Sequence, residues 1–322
     1  MARRRTFYVP VMIAAAVAVA CLVVSLAVSE EEAQAAFPGK NGKIAFYKQT
    51  DTGPDELFVV NSDGSGRQNI TNTPDVSETT PAWSPDGKKL VYQRHPRRRG
   101  ADTEIAIIHV KSGSKWRITD DSYQDAHPAW SPDGTEIVFV NQTDPATNDL
   151  STMNRDGSGL RQLTDSSYND GSPAWSPDGR KIAFSRNNPQ THHSDIWTVR
   201  AADGSNQKNL TGTDAGTDEN DPDWSPDGTK IAFALDASGK ASDIYAVRSD
   251  GTGLRNITKT PLVYEGDPAW SPNGRRIAFL RNDPQTSNND IWTVRAADGS
   301  DPVQVTDTPS VSEYAPTWQP IR

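Results

Sequence analysis

Pro81-Ala82-Trp83-Ser84-Pro85-Asp86-Gly87, followed by Lys88-Lys89-Leu90-Val91-Tyr92, returns along the chain with small edits. Trp130, Trp175, Trp224 and Trp270 each stand two residues after a proline and open the same Trp-Ser-Pro-(Asp/Asn)-Gly turn, and Trp318 is a truncated sixth copy. Successive tryptophans are 47, 45, 49, 46 and 48 residues apart, the length of one four-stranded propeller blade. In the turn, proline fixes φ, Asp or Asn offers a side-chain acceptor and glycine takes the left-handed position.

Each unit divides at its turns. Strand A is the Pro-x-Trp segment, and strand B is the run ending in Tyr92, Phe139, Phe184, Phe233 or Phe279. Strand C follows a variable loop, as in Ile196-Trp197-Thr198-Val199 or Ile291-Trp292-Thr293-Val294, with a more polar Leu150-Ser151-Thr152-Met153 in blade 3. A glycine-centred hairpin such as Asp203-Gly204 leads to a short strand D, as in Asn209-Leu210-Thr211. The first unit has Ile44-Ala45-Phe46 as strand B but no proper strand A, whereas Ala315-Pro316-Thr317-Trp318 is a strand A without a B. Pairing these two ends in one blade removes open edges. The fold class is therefore all-β, a six-bladed β-propeller of four-stranded blades closed by pairing the C-terminal strand with the first N-terminal blade. An open solenoid would need polar capping units, and none is visible.

Composition agrees. Glycine and proline each occur 23 times, which suits short strands joined by tight turns, and no long amphipathic helical pattern is present. The formal net charge of -9 argues against nucleic acid, because phosphate neutralisation normally supplies most of that affinity. The basic cluster Arg94, His95, Arg97, Arg98 and Arg99 reads as a solvated loop. Cys21, the sole cysteine, leaves the repeats without a thiol for a disulfide, a metal or a nucleophile.

Residues 1–35 read as an export signal, with Arg3 to Arg5 as the basic start, an apolar run from Phe7 to Val28 and a small-residue site at Ala33-Gln34-Ala35. An uncleaved N-terminal membrane anchor is the competing reading, and Arg4-Arg5-Thr6-Phe7 has the core of a twin-arginine signal. Residues 36–322 form the propeller. Its expected location is outside the cytoplasm, secreted or in the cell envelope or periplasm.

The succession Leu-Thr, an acidic residue, Pro-Ala-Trp-Ser-Pro-Asp-Gly, Ile-Ala-Phe, Asp-Ile-Trp and Asp-Gly resembles the TolB-type propeller repeat, which is also similar to the propeller of prolyl oligopeptidase relatives. The resemblance covers nearly all of residues 37–322 and implies a scaffold used for several tasks. The stretch before the first blade leaves no room for the separate α/β domain that accompanies the propeller in TolB.

Five residues before each Trp the copies read Glu78, Asp125, Asp170, Glu219, Glu265 and Glu313. Because strand A lines the channel of a propeller, these six carboxylates should circle the mouth opposite the Ser-Pro-Asp-Gly turns. In the favoured reading each accepts hydrogen bonds from a neighbouring loop, since a feature of every blade serves the blade. In the other reading the ring holds a cation, Ca²⁺ or an amine, that offsets the mutual repulsion. Three residues before Trp the copies vary: Thr80, His127, Ser172, Asp221, Asp267 and Ala315. Strand alternation puts these on the same face as the acidic position, so His127, Asp221 and Asp267 join the six acids as candidate ligand-binding residues at the channel mouth. The B-to-C loops form a second variable surface.

No Gly-x-Ser-x-Gly elbow, Gly-x4-Gly-Lys loop or His-Glu-x-x-His motif is present. The expectation is an exported, monomeric, non-catalytic binding module that recognises a protein or peptide at its channel face, without a cofactor. The alternatives are an extracellular enzyme acting on polysaccharide through channel carboxylates and a Ca²⁺-stabilised structural propeller.

Overall fold

The computed structural model describes residues 37–49, 53–144, 147–212, 216–237, 240–308 and 310–321. The chain separates into Met1–Glu31 and Glu32–Arg322, and the described residues all belong to the second unit. Residues 1–35, expected from the sequence to be an export signal, lie outside them together with Cys21. Among the described residues there is no helix, and hence none long and apolar enough to cross a membrane.

Every Trp-Ser-Pro-(Asp/Asn)-Gly segment is a tight hairpin wired by its own side chains. Ser84 Oγ donates to Asp86 Oδ1 at 2.6 Å and accepts from the Lys89 N–H at 3.0 Å, while Gly87 has φ +64°. Ser176 and Ser225 repeat these bonds with Asp178 and Asp227. The turn thereby fixes the register that pairs Trp83 with Leu90, Trp175 with Ile182 and Trp270 with Ile277.

The result is six antiparallel sheets of four strands. In blades 2 to 6 strand A comprises Val76–Trp83, Asp125–Trp130, Asn169–Trp175, Thr217–Trp224 and Glu265–Trp270. Blade 1 takes its strand A from the other end of the chain. Ser312–Ile321 pairs with Lys40–Gln49, which continues to Glu56–Val60 and Gln68–Asn69. The closure read from the unmatched ends is thus the observed one. Phe37, aligned with the tryptophans in sequence, lies outside any strand and packs partly buried against Val91 and Trp130.

The core lies between blades. Six apolar clusters fill six interfaces, and each joins the Trp of one blade to strands B and C of the blade before it. Trp270, Ile277 and Phe279 pack on Ala232, Ala234 and Ile244, and Trp318 with Ile44 and Phe46 packs on Ala278, Leu280 and Ile291. The Asp-Gly hairpins dock in the same sense. A Cβ at Gly157, Gly204 or Gly299 would overlap the carbonyl oxygen of Ile118, Leu163 or Ile257 in the preceding blade. Glycine at this hairpin therefore serves close blade packing as well as its positive φ.

Candidate functional site

Strand A does not keep simple alternation. Thr80, His127, Ser172, Asp221, Asp267 and Ala315 all lie in the left-handed region, with φ between 46° and 55°, and at each of them the A–B ladder carries a register shift, as between Thr79 and Ala82 or Asn220 and Asp223. A bulge of this kind re-aims a side chain. The expectation that both variable positions share one face is corrected here. The residue three before Trp lines the central cavity, whereas the acid five before Trp is buried beside strand B.

All six acids have at most 1 % exposure. Asp170 is held bidentately by Arg186 (Nε 2.6 Å, Nη2 2.8 Å), whose guanidinium lies over the rings of Trp197, Phe184 and Tyr168. Arg281 closes on Glu265 at 2.6 and 2.7 Å and covers Phe279 and Trp292. Lys115 reaches Glu78 at 3.0 Å, and Arg67 reaches Glu313 at 2.5 Å. Glu219 accepts from the Ile196 N–H and the Thr211 hydroxyl. Asp125 has Asn141 Nδ2 at 2.6 Å and makes no ion pair among the described residues. Burial raises its pKa to about 7, and Asp121 and Glu104 add to this against the bonds from Thr119 and Asn141. Burial also pushes Glu265 and Glu313 up, against the pull of Thr258 and Arg281 on the first and of Thr306 and Arg67 on the second. This wiring is the hydrogen-bonding job that a repeated carboxylate does for its own blade.

The cavity at the centre measures about 290 Å³. Phe37 lines it on the side where Lys40 pairs with Ile321, and Tyr47 lines it on the side where Tyr47 pairs with Tyr314. His127, Asp221 and Asp267 all line it, and among the described residues no lysine or arginine does. Ser172 Oγ donates to Asp221 Oδ1 at 2.7 Å, and the Ala315 N–H donates to Asp267 Oδ2 at 2.8 Å. The Asp221 and Asp267 carboxyls are close enough to interact. Burial, then the charge of Asp221, holds Asp267 well above the usual carboxylate range. Desolvation in the cavity lowers His127 from its ordinary value, with Asp221 opposing, although the side chain remains exposed along the channel.

Sequence reasoning missed three neighbours of this pair. Asp223 stands where the other blades have Ala82, Ala129, Ala174, Ala269 and Thr317, and burial raises it to about 7 against the N–H groups of Trp270 and Trp224. Its departure from alanine was a legible signal. Tyr47 stacks on Tyr314 with ring centroids 5.2 Å apart, and Tyr264 lies beside Gly266. Burial, then the negative charge of Asp267, raises both Tyr47 and Tyr264. Six residues before Trp, five blades place Ser77, Gln124, Asn169, Asp218 or Ser312, each accepting a backbone N–H from the B-to-C connection of the preceding blade. Tyr264 occupies that position in blade 6.

Six closed blades, five of them carrying the same turn, define a repeat propeller whose central cavity mixes apolar residues with an irregular set of polar ones. The chain belongs to the TolB beta propeller domain family, whose description matches residues 23–220. Its structure is similar to that of TolB from Acinetobacter baumannii, with a TM-score of 0.73 at 20 % identity over 88 % of this chain and 68 % of that one. It is similar to the putative TolB from Agrobacterium tumefaciens, with a TM-score of 0.65 at 19 % identity over 87 % of this chain and 99 % of that one. An oligogalacturonate lyase in complex with manganese shares the fold at a TM-score of 0.57 and 14 % identity, over 85 % of this chain and 77 % of that one. Among curated proteins, dipeptidyl-peptidase 5 from Porphyromonas gingivalis is 43 % identical over 58 residues, which is 16 % of this chain and 8 % of the peptidase. The chain thus matches a small part of that enzyme's length.

Proposed function

We propose that this propeller is an exported, monomeric, non-catalytic binding module that holds a protein or peptide partner at the face bearing the polar half of the channel and the B-to-C loops. One observation carries the reading. The repeated carboxylates are committed inside their blades, while the residues that differ from blade to blade line the cavity. Variation confined to an accessible concave wall is what recognition of one particular partner needs. The structural likeness to the two TolB proteins supports the propeller as the frame of such a site.

Site-specific photo-cross-linking tests this. A cross-linker at exposed His192, in the B-to-C loop of blade 4, should trap one discrete partner, and one at exposed Arg180, beside a Ser-Pro-Asp-Gly turn, should not. Trapping from position 180 alone would overturn the assignment of the face.

The polysaccharide-acting enzyme is retained as a second reading because of the Asp221–Asp267 pair, two neighbouring carboxyls in an accessible cavity, and because the lyase has this fold. Its acid and base would be those two residues rather than Glu265 and Asp125, which have their own partners in the blade interior. A turnover screen against wall and plant polysaccharides, repeated with Asp267→Asn, decides it. For the Ca²⁺-stabilised reading, calorimetry and melting at millimolar Ca²⁺ are the measurements.

A further inference from the structure

We infer that the polar half of the channel receives an organic cation, an ammonium or guanidinium head carried on a lysine or arginine side chain of the partner, between the Asp221–Asp267 pair and the tyrosines beside it. This rests on the binding-module reading and names the group that the site recognises.

Four independent observations converge on it. The first is charge. Elsewhere in the ring of blades carboxylates are answered by cations of the same chain, Arg186 on Asp170, Arg281 on Glu265, Lys115 on Glu78 and Arg67 on Glu313. Among the described residues the cavity wall presents Asp221, Asp223 and Asp267 and no lysine or arginine. A cation placed among these carboxyls recovers an attraction that this chain leaves unused.

The second is the aromatic wall. Tyr47 and Tyr314 stack at 5.2 Å with 18° between their planes, and Tyr47 lines the cavity. Tyrosine faces attract cations at short range, most strongly for heads that are partly desolvated. The third is Tyr264. Five blades use a hydrogen-bonding side chain at its position to hold the preceding blade. Blade 6 gives up that bond for an aromatic side chain, half exposed, placed beside Asp267. A substitution that costs the frame a bond and adds a ring at the mouth has its benefit at the mouth.

The fourth is the nature of the cation. Among the described residues no group of three or more His, Cys, Asp and Glu is arranged to hold a metal ion, and two neighbouring carboxyls offer few oxygens to a hard cation that wants six to eight. The same two oxygens and an aromatic wall suit an ammonium or guanidinium, which needs a few acceptors and a ring face. The cavity, at about 290 Å³, admits one side chain rather than a folded segment.

The test uses the whole propeller and three probes at fixed ionic strength: a short blocked peptide with one central lysine, the same peptide with norleucine, and n-butylammonium. Titration calorimetry should give saturable binding of the lysine peptide and a loss of about tenfold or more for norleucine, which keeps the stem and removes the charge. Asp267→Asn should weaken the lysine peptide about tenfold. Tyr264→Ser should weaken it several-fold while the melting temperature holds or rises, because Ser77 and Ser312 make the missing hydrogen bond in other blades. Butylammonium weaker than the peptide assigns the site to a partner's side chain, and butylammonium as tight as the peptide assigns it to free amines. Equal binding of lysine and norleucine peptides, or unchanged affinity in a folded Asp267→Asn variant, overturns the inference. Trapping from position 192 that persists in Asp267→Asn would leave the binding module standing and remove only the cation.

Discussion

Asp125→Asn is the sharpest probe of the frame. Asp125 is fully buried, and it alone among the six repeated acids combines a pKa raised to about 7 with the absence of any ion pair. Its Oδ2 and the Oδ1 of Asn141 are both buried without a partner, although Asn141 Nδ2 donates to Asp125 Oδ1. Burial penalises the charge on this carboxyl, which is why the folded state favours its protonated form. The folded pKa lies about three units above the unfolded carboxylate value of ~3.9. The associated stability is therefore fully present below pH ~4 and is lost as pH rises through ~7. At ~1.4 kcal/mol per unit this amounts to at most about 4 kcal/mol, or several degrees of melting temperature for a domain of this size. Melting curves of wild type and Asp125→Asn from pH 4 to 9 should converge near pH 4, separate progressively between pH ~4 and ~7 and run parallel above that, with the variant more stable at pH 8. Asp223 and Asp267 also titrate from raised values, so the difference between the two proteins is the quantity to read. Parallel curves, or a uniform drop of the variant at every pH, would refute the assignment.

Trp83→Ala should behave as a core lesion of about 3–5 kcal/mol, because the indole is 1 % exposed between blades 1 and 2; denaturant melts measure it, and loss of binding without loss of stability would contradict it. Arg186→Met should cost about 3–5 kcal/mol by leaving the buried Asp170 carboxylate without its cation, and adding Asp170→Asn should return most of that in the same melts. Gly299→Ala should destabilise by more than the ~1 kcal/mol expected from its φ of 73° alone, since the new methyl meets the Ile257 carbonyl; Gly113→Ala, with open space around it, should show only the conformational part.

The blade plan was legible because everything that sets it is local. A Trp, a Ser-Pro-Asp-Gly turn and a hairpin glycine repeat within one unit, and the unmatched Pro316-Thr317-Trp318 required a partner that only Ile44-Ala45-Phe46 could supply. The site was legible in its positions and misread in its direction. Alternation would have put Glu78 and Thr80 on one face, and a left-handed residue in a bulge turned Thr80 into the cavity and left Glu78 in the blade. The partners of the acids were partly visible. Asn141, Arg186 and Arg281 all stand eleven residues after Trp, opposite the acid in register. Lys115 and Arg67 come from near strand D instead, which breaks the period and hides the rule. Tyr264 and Asp223 were detectable only as departures from their columns, and a departure has meaning once the column's role is known.

The joint in blade 1 bears on how this protein comes to be folded. Lys43 and Gln319, bonded through the Gln319 side chain, are 276 residues apart in the chain, and the ladder around them is the seam on which the ring shuts. Five blades can form from neighbouring sequence as it emerges, but the first remains a three-stranded sheet with a bare inner edge until the final strand has been synthesised. Closing so long a loop is slow relative to local hairpins, and during the delay that edge is open to any extended segment. A partner that supplied a strand at that moment would be woven into blade 1 in place of the chain's own end. A holding chaperone before closure would protect the edge and set the time at which the channel, and with it the binding face, first exists.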